Sequence, residues 1–290
     1  MTYLIELLIS GLSIGAIYGL IAMGFAVIYK STGLVNFAQG EIAMIVAYVA
    51  WTIASHVSGN VFVVAGGAIL FACVFGLAIE RLVIRPMIGE PIFSTIMVTI
   101  GIAVVLRSCI VFLWDAVPHS LDLGVGREVL VLGEARVRSG QLGVIALLLV
   151  AIAGFYAFFR WSRFGVAMRA VASDDRTAML MGVSAARVQA VAWAASCVIA
   201  GIAGVMFAII HELSPTMFVL GLKAFPATIL GGLDSVLGSA LGGFIMGAVE
   251  NLAGGYVSPG LKEVSGFIVI VVILMVRPFG LFGERRIERV

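Results

Sequence analysis

"KSTGLVNFAQGEIAM", residues 30–44, places a lysine, an asparagine, a glutamine, a glutamate and two glycines between two strongly apolar stretches. The stretch before it, Leu4–Tyr29, exceeds the roughly 20 apolar residues that a helix needs to cross a bilayer. The stretch after it, Ile42–Val57, is shorter but continuous enough to cross beside neighbouring spans. These polar residues form either a wetted loop at the membrane boundary or a turn whose amides bond across helices.

The whole chain has the composition of an integral membrane protein. Hydrophobic residues make up 62 % of its 290 residues and charged residues 12 %, whereas soluble domains have roughly 45–50 % and about 25 %. A soluble domain cannot bury so much apolar surface, but a bilayer accepts it. Further candidate spans are Val61–Ile79, Ile92–Trp114, Leu142–Phe159, Val188–Ile210 and Val264–Val276.

The segment Met217–Leu252 is too long for one membrane helix, and it contains a lysine, a proline, an aspartate and several glycines. We expect it to break near Gly231–Asp234 and to enter and leave the membrane as two shortened segments. Broken helices near mid-membrane often build a solute site from free backbone groups, although a purely structural bend is the alternative. The prediction is one all-α polytopic domain, residues 1–290, with eight or nine membrane segments, one of them broken or re-entrant.

Arginines predict how the chain is oriented. They cluster after the third span, in residues 160–187 and in the C-terminal tail, and the positive-inside rule places these three regions in the cytoplasm. The N-terminus is then outside and the C-terminus cytoplasmic. Residues 115–139 form an extracytoplasmic loop, in which alternation of apolar and polar residues around Gly133–Glu134 predicts a β-hairpin.

The cytoplasmic loop, residues 161–187, contains the pattern of a short helix. Ser173 suits its N-cap, Asp174 and Asp175 its first turn, and Gly182 its end. The apolar side chains that this helix presents are Ala178, Met179 and Met181. So short a helix is marginal alone. It either lies on the bilayer surface or packs under its own spans, or it docks in a groove of a cytoplasmic partner.

Two sets of small residues predict close helix packing. Gly11, Gly15 and Gly19 recur every four residues on the first span, on one helical face. The alternative is a face that slides against a moving neighbour. A second face of this kind comprises Gly238, Gly242, Gly243 and Gly247.

No motif for catalysis, metal binding or nucleotide binding occurs in the sequence: it has no P-loop, no H-E-x-x-H and no serine elbow. We therefore expect neither an enzyme nor a metal site. Arg107 lies inside a span and is expected to extend to the outer membrane edge, while Glu250 and Glu263 lie near segment ends. A secondary transporter or channel, which would work without ATP, would need buried ionisable pairs and is the alternative function.

Three stretches resemble the permease family of branched-chain amino acid ABC importers, the LivH type. They are residues 11–50, residues 164–183 and "FPATILGGLDSVLGSALGGFIMGAVE", residues 225–250. The resemblance implies a subunit of the bacterial inner membrane that moves leucine, isoleucine, valine or a related small solute inward by alternating access. It also implies a second permease or a second copy, cytoplasmic ATP-binding subunits that hold ATP and magnesium, and an extracytoplasmic solute-binding protein, with no cofactor in this chain and no nucleic acid.

The same resemblance implies roles for individual residues. Residues from Arg169 to Gly182 would form the ATPase-coupling loop, with Ser173–Met181 entering a groove of the ATPase. Gly231 and Gly232 would mark the late break beside the translocation pathway. The re-entry after the first span would comprise Asn36, Phe37, Gln39, Gly40 and Glu41.

Overall fold

The computed structural model of the chain describes residues 2–126, 128–132, 135–173 and 175–283. In these residues the chain is almost wholly helical, with one two-stranded sheet. The helices are α1 (Thr2–Thr32), α2 (Gln39–His56), α3 (Val61–Ile79), α4 (Ile92–Trp114), α5 (Ser139–Trp161), α6 (Arg163–Ser173), α7 (Asp175–Leu180), α8 (Ala185–Ile210), α9 (Val219–Gly231), α10 (Val236–Tyr256) and α11 (Pro259–Val276). A π-helical turn, Glu80–Ile84, and a 3-10 turn, Arg85–Met87, extend α3, and a 3-10 turn, Pro215–Phe218, precedes α9.

The all-α polytopic membrane fold is confirmed, with a small difference in the number of spans. Within the described residues, seven helices are long and apolar enough to cross a membrane, rather than eight or nine. The difference comes from two segments. Helix α2 begins with Gln39 and Glu41, which lower its hydropathy, and Pro215–Gly231 is a shorter apolar helix.

Helix α1 lies at the centre of the bundle and packs along α10, with further contacts to α8, α9 and α5. The glycines of its small-residue face make this approach possible. A Cβ atom at Gly15 would lie 2.7 Å from the carbonyl oxygen of Gly243, and one at Gly19 would lie 2.8 Å from that of Ala240. The two glycine faces therefore fit together backbone against backbone.

The peripheral helices α3, α4, α5 and α11 expose large apolar side chains. Examples are Phe112 on α4, which is 89 % exposed, and Met275 on α11, which is 81 % exposed. In the seven candidate spans, the share of buried residues falls from 89 % in α1 to 11 % in α5 and α11. This outer surface suits contact with hydrocarbon.

The ends of the helices define two opposite faces. On one face, which we call the Lys30 face, the Lys30 ammonium donates a hydrogen bond of 3.2 Å to the backbone carbonyl of Asp234, and α6 contacts the end of α1. On the other face, the backbones of His119 and Leu213 form an antiparallel bridge. That face also carries the hairpin of β1 (Val129–Leu132) and β2 (Ala135–Arg138), and the residues between these strands, 133 and 134, lie outside the described part of the chain.

Candidate functional site

The break between α1 and α2, residues 33–38, begins at the exposed Gly33 and then turns back into the bundle. The side-chain amide of Gln39 donates to the hydroxyl of Ser196 at 2.9 Å, and this hydroxyl donates to the carbonyl of Gly24 at 2.9 Å. Gly24 lies eight residues before the end of α1, and Ser196 lies eleven residues after the start of α8. Helix α2 therefore begins at membrane depth, which is tolerated where protein surrounds the backbone.

Side chains satisfy the backbone at this first break. Asn36 accepts a hydrogen bond from the Ala38 amide at 3.1 Å and donates one to Gln39 Oε1 at 3.0 Å, while the Phe37 amide donates to Thr99 Oγ1 at 3.3 Å. Asn36 and Gln39 are fully buried, at 0 % exposure. The wetted-loop interpretation is therefore wrong, because these amides hold the start of α2 in place.

Glu41, in the first turn of α2, is paired with Arg107 of α4. The Arg107 Nη2 atom donates to Glu41 Oε1 at 2.5 Å, and the guanidinium carbon lies 3.4 Å from the centre of the Phe218 ring. The Glu41 side chain is 4 % exposed and that of Arg107 is 40 % exposed. The expectation that Arg107 extends to the outer membrane edge is wrong, because a buried carboxylate needs a cation beside it.

A second ionic group links four helices. The Tyr18 hydroxyl of α1 donates to Glu250 Oε2 at 3.0 Å, and Lys223 Nζ of α9 lies 3.7 Å from Glu250 of α10 and 3.1 Å from Glu263 of α11. Glu250 is 1 % exposed, so its carboxylate is buried inside the bundle in the C-terminal part of α10. Tyr18 and Lys223 carry no functional prediction from the sequence, although an ionisable residue inside a span is itself a signal of function. Among the described residues, no group of three or more His, Cys, Asp or Glu side chains could hold a metal ion.

The late break, between α9 and α10, is a tightly packed turn. Gly232 has a φ of 105°, and a Cβ atom there would lie 2.6 Å from the backbone nitrogen of Gly283. The Phe282 amide donates to the Gly231 carbonyl at 3.1 Å. These glycines thus lie on the Lys30 face against the C-terminal segment, and the structure does not bring them together with the first break.

Helix α9 runs from the first break to the late break. At its start, Gly221 packs directly on Gly40 of α2, so that a Cβ atom on Gly221 would lie 2.6 Å from the Gly40 Cα atom. At its end, Gly231 packs against Gly238 of α10. Any displacement of α9 therefore changes the packing at both breaks.

The predicted coupling loop forms two helices instead of one. Ser173 is the last residue of α6, where Arg169 also lies, α7 begins at Asp175, and Asp174 lies outside the described residues. Gly182, with a φ of 87°, closes α7, and its amide donates to the Met179 carbonyl at 3.0 Å.

The apolar side chains of α7 point in opposite directions. Ala178 is only 5 % exposed and belongs to the core of the bundle, whereas Met179 is 50 %, Leu180 87 % and Met181 81 % exposed. We call Met179–Met181 the apolar tip. The sequence predicts Ala178, Met179 and Met181 as the presented side chains. Ala178 is instead buried and Leu180 is presented, because the phase of a six-residue helix cannot be deduced from its pattern alone.

These features define an all-helical, multi-pass membrane protein with a polar break and two ionic groups inside its bundle. The family model described as branched-chain amino acid transport system / permease component matches residues 7–276, and the chain belongs to this family of transport permease components. The high-affinity branched-chain amino acid transport system permease protein LivH of Escherichia coli K12 is 32 % identical over 99 % of this chain and 98 % of its own length. The corresponding Pseudomonas aeruginosa permease, BraD, is 27 % identical over the same shares.

A solved structure also shares the fold. It is that of PsaBC from Streptococcus pneumoniae in complex with Fab, with a TM-score of 0.51 and 12 % sequence identity. The match covers 96 % of this chain and 93 % of the solved chain. At this level of identity the likeness concerns the fold alone.

Proposed function

We propose that the chain is the membrane-spanning permease subunit of an ATP-driven importer for branched-chain or other hydrophobic amino acids, or a related small solute. Uptake proceeds by alternating access. The permease pairs with a second similar permease or a second copy, and an extracytoplasmic binding protein delivers the solute. ATP and magnesium are held by cytoplasmic ATP-binding subunits. The family and the names of the relatives LivH and BraD support the solute class.

The apolar tip of α7 is the observation that carries the ATP-driven part of this proposal. Three consecutive large apolar residues, Met179–Met181, are at least half exposed at the end of a six-residue helix, whose opposite side chain, Ala178, is anchored in the bundle. A short helix that is fixed on one side and apolar on the other fits a hydrophobic groove of a partner protein. Closure of such a partner would move α7, and with it α6 and α8.

Charge supports the orientation in which the tip is cytoplasmic. Helices α6 and α7, which carry the tip, lie on the Lys30 face, together with Arg85, Arg187 and Arg277. The positive-inside rule assigns such a face to the cytoplasm. This orientation places the N-terminus outside and the C-terminus in the cytoplasm of a bacterial inner membrane protein.

Affinity purification of the chain from membranes in mild detergent tests the assembly. We expect ATP-binding subunits and a second permease, or a second copy, to co-purify. The matched variants Leu180→Arg and Val257→Arg then test the tip, because both residues are strongly exposed, at 87 % and 70 %, but lie on opposite faces. Leu180→Arg should reduce the recovered ATP-binding subunits about tenfold or more, the effect of losing one interface hot spot, and Val257→Arg should not. Equal recovery with both variants would contradict docking through the tip.

Ala178→Arg is the less informative substitution at this site. Ala178 packs within the chain, so an arginine there would disturb α7 itself, and a lost partner would not show where the partner binds. Leu180→Arg changes a side chain that is open in the isolated chain and avoids this ambiguity.

Secondary transport without ATP is the second candidate function. The buried groups Glu41–Arg107 and Tyr18–Glu250–Lys223 favour it, since ion-coupled transporters use ionisable side chains within the membrane. It predicts that the chain purifies alone and moves solute in vesicles that contain no ATP. That result would replace the importer proposal.

A further inference from the structure

Arg107 has an open side at membrane depth. It lies within α4, seven residues before the end of the helix at Trp114, and its hydrogen bond to Glu41 holds the guanidinium against the bundle. Even so, 40 % of the Arg107 side chain is open in the isolated chain. Hydrocarbon is a costly surrounding for a charged group, so this open side borders water or another polypeptide.

An apolar strip lies beside the Glu41–Arg107 pair. We define the strip as Phe37, Phe218, Leu222 and Phe225. The last three follow at spacings of four and three residues and therefore share one face at the start of α9. The ring of Phe37 lies 5.7 Å from that of Phe225, and Leu222 is 52 % exposed. Because Arg107 stacks on Phe218, the ion pair and the strip form one continuous surface.

We propose that this surface is a transient binding site for an amino acid with an apolar side chain. Arg107 binds the carboxylate, Glu41 binds the ammonium group, and the apolar strip accepts the side chain. The site rests on the proposed function and adds the residues that contact the solute. A zwitterion requires one anion and one cation close together with no net charge, and this pair supplies both at one end of an apolar surface.

A comparison with a third buried ion pair, between Glu80 and Arg85, supports a binding role. Glu80 and Arg85 have nearly the same exposure as Glu41 and Arg107, at 1 % and 38 %. Arg85, however, engages Glu80 through both Nε and Nη2, at 3.1 and 2.9 Å. Arg107 uses only Nη2 on Glu41, and its buried Nε has no hydrogen-bond partner among the described residues. An arginine can bind a carboxylate through two parallel N–H groups. Arg85 uses both of its groups on Glu80, whereas the Nε–H group of Arg107 has no acceptor among the described residues.

The test uses the complete complex that co-purifies with the chain, reconstituted in liposomes with its binding protein and ATP, and L-leucine as the probe. Arg107→Met should lower the initial rate of leucine uptake per assembled complex about tenfold or more, the effect of one charge-assisted hydrogen bond. The matched control is Arg85→Met, which leaves a similarly buried carboxylate unpaired. Its uptake per assembled complex should stay within about twofold of the unaltered chain, below the effect of one such bond.

The exchanged pair, Glu41→Arg with Arg107→Glu, separates a binding role from a structural one. The exchange restores an ion pair between α2 and α4, so a purely structural tie would recover both assembly and uptake. We expect assembly to recover and uptake to stay low, because the carboxylate and the ammonium of leucine would each meet a group of the same charge.

Three results would overturn the inference. They are normal uptake by Arg107→Met, full recovery of uptake by the exchanged pair, and a loss of the second permease from Arg107→Met complexes, which would make this surface a subunit interface. A complex that, before any substitution, takes up no branched-chain amino acid, no other hydrophobic amino acid and no related small solute would refute the proposed function, and the inference would fall with it. Normal uptake by the unaltered complex together with any of the three results would refute the inference alone.

Discussion

The first break, between α1 and α2, and the late break, between α9 and α10, both interrupt the bundle with a turn, but different chemistry holds them. The first uses side chains, since the amides of Asn36 and Gln39 and the hydroxyl of Ser196 form a buried network. The late break relies more on backbone packing, since Gly231 packs on Gly238 with no space for a methyl group, although Lys30 and Ser239 also donate hydrogen bonds to backbone carbonyls there. Hydrogen bonds can exchange partners when a solute passes or a helix moves, whereas backbone packing allows only one arrangement. The polar network of the first break can therefore rearrange more readily than the glycine packing of the late break.

Gly231→Val tests the backbone packing of the late break and has the largest expected effect. The added side chain would overlap the backbone of Gly238 and Ser239, which cannot move away without separating α9 from α10. We expect little folded protein, measured as the monodisperse yield after detergent purification. The control, Gly101→Val, adds the same atoms on α4, where a Cβ atom has nothing within 4 Å, and should purify normally. A folded Gly231→Val protein would show that the late break is adaptable.

Lys223→Met tests α9, the helix that connects the two breaks. It removes the nearest cation from the buried Glu250, whose hydrogen bond from Tyr18 remains. Breaking a buried ion pair in this way costs about 3–5 kcal/mol. The free energy of unfolding in detergent should fall by that amount, as measured by titration with a denaturing detergent. A decrease below about 1 kcal/mol, the scale of a surface ion pair, would mean that the ammonium contributes little to holding α9.

Gln39→Leu tests the polar network of the first break. The substitution keeps the approximate size but removes the acceptor of the Asn36 amide group, at a cost of about 1–3 kcal/mol for an unsatisfied group. It also removes the donor to the Ser196 hydroxyl, which still donates to the Gly24 carbonyl. We expect lower stability and lower solute uptake. In a double-mutant cycle, adding Ser196→Ala should cost less than it does alone, because the hydroxyl has already lost its amide donor. Strictly additive effects would show that the two side chains act independently.

The sequence indicated the positions of both breaks but not their depth. Gly231–Gly232 after an apolar run predicts a helix end, and the chain does turn there. How deep Asn36 and Gln39 lie in the bundle could not be deduced from the sequence. It depends on the hydrogen bond between Gln39 and Ser196, which are 157 residues apart, and on that between Phe37 and Thr99, which are 62 residues apart. A pattern read along one helix contains no information about such distant contacts.

Charged residues show the same limit. Glu41 and Arg107 are 66 residues apart. The sequence therefore predicts that each charge is unfavourable in the membrane, but not that the two side chains form an ion pair. Ala178 and Leu180 differ for another reason. In a six-residue helix the apolar side is set by where α7 docks on α8, and this docking is a property of the tertiary structure.

Glu263→Gln has the smallest expected effect and tests whether burial or distance determines how much an ion pair contributes to stability. Glu263 lies 3.1 Å from Lys223, closer than the 3.7 Å between Lys223 and Glu250, yet its side chain is 68 % exposed whereas that of Glu250 is 2 % exposed. If distance determined the contribution to stability, the Lys223–Glu263 pair would contribute more than the Lys223–Glu250 pair. Burial determines it instead, because water screens an exposed pair and leaves it about 0–1 kcal/mol. We therefore expect Glu263→Gln to change the free energy of unfolding by less than about 1 kcal/mol. A loss as large as that of Lys223→Met would instead show that Glu263 of α11 is shielded from water where it faces Lys223 of α9.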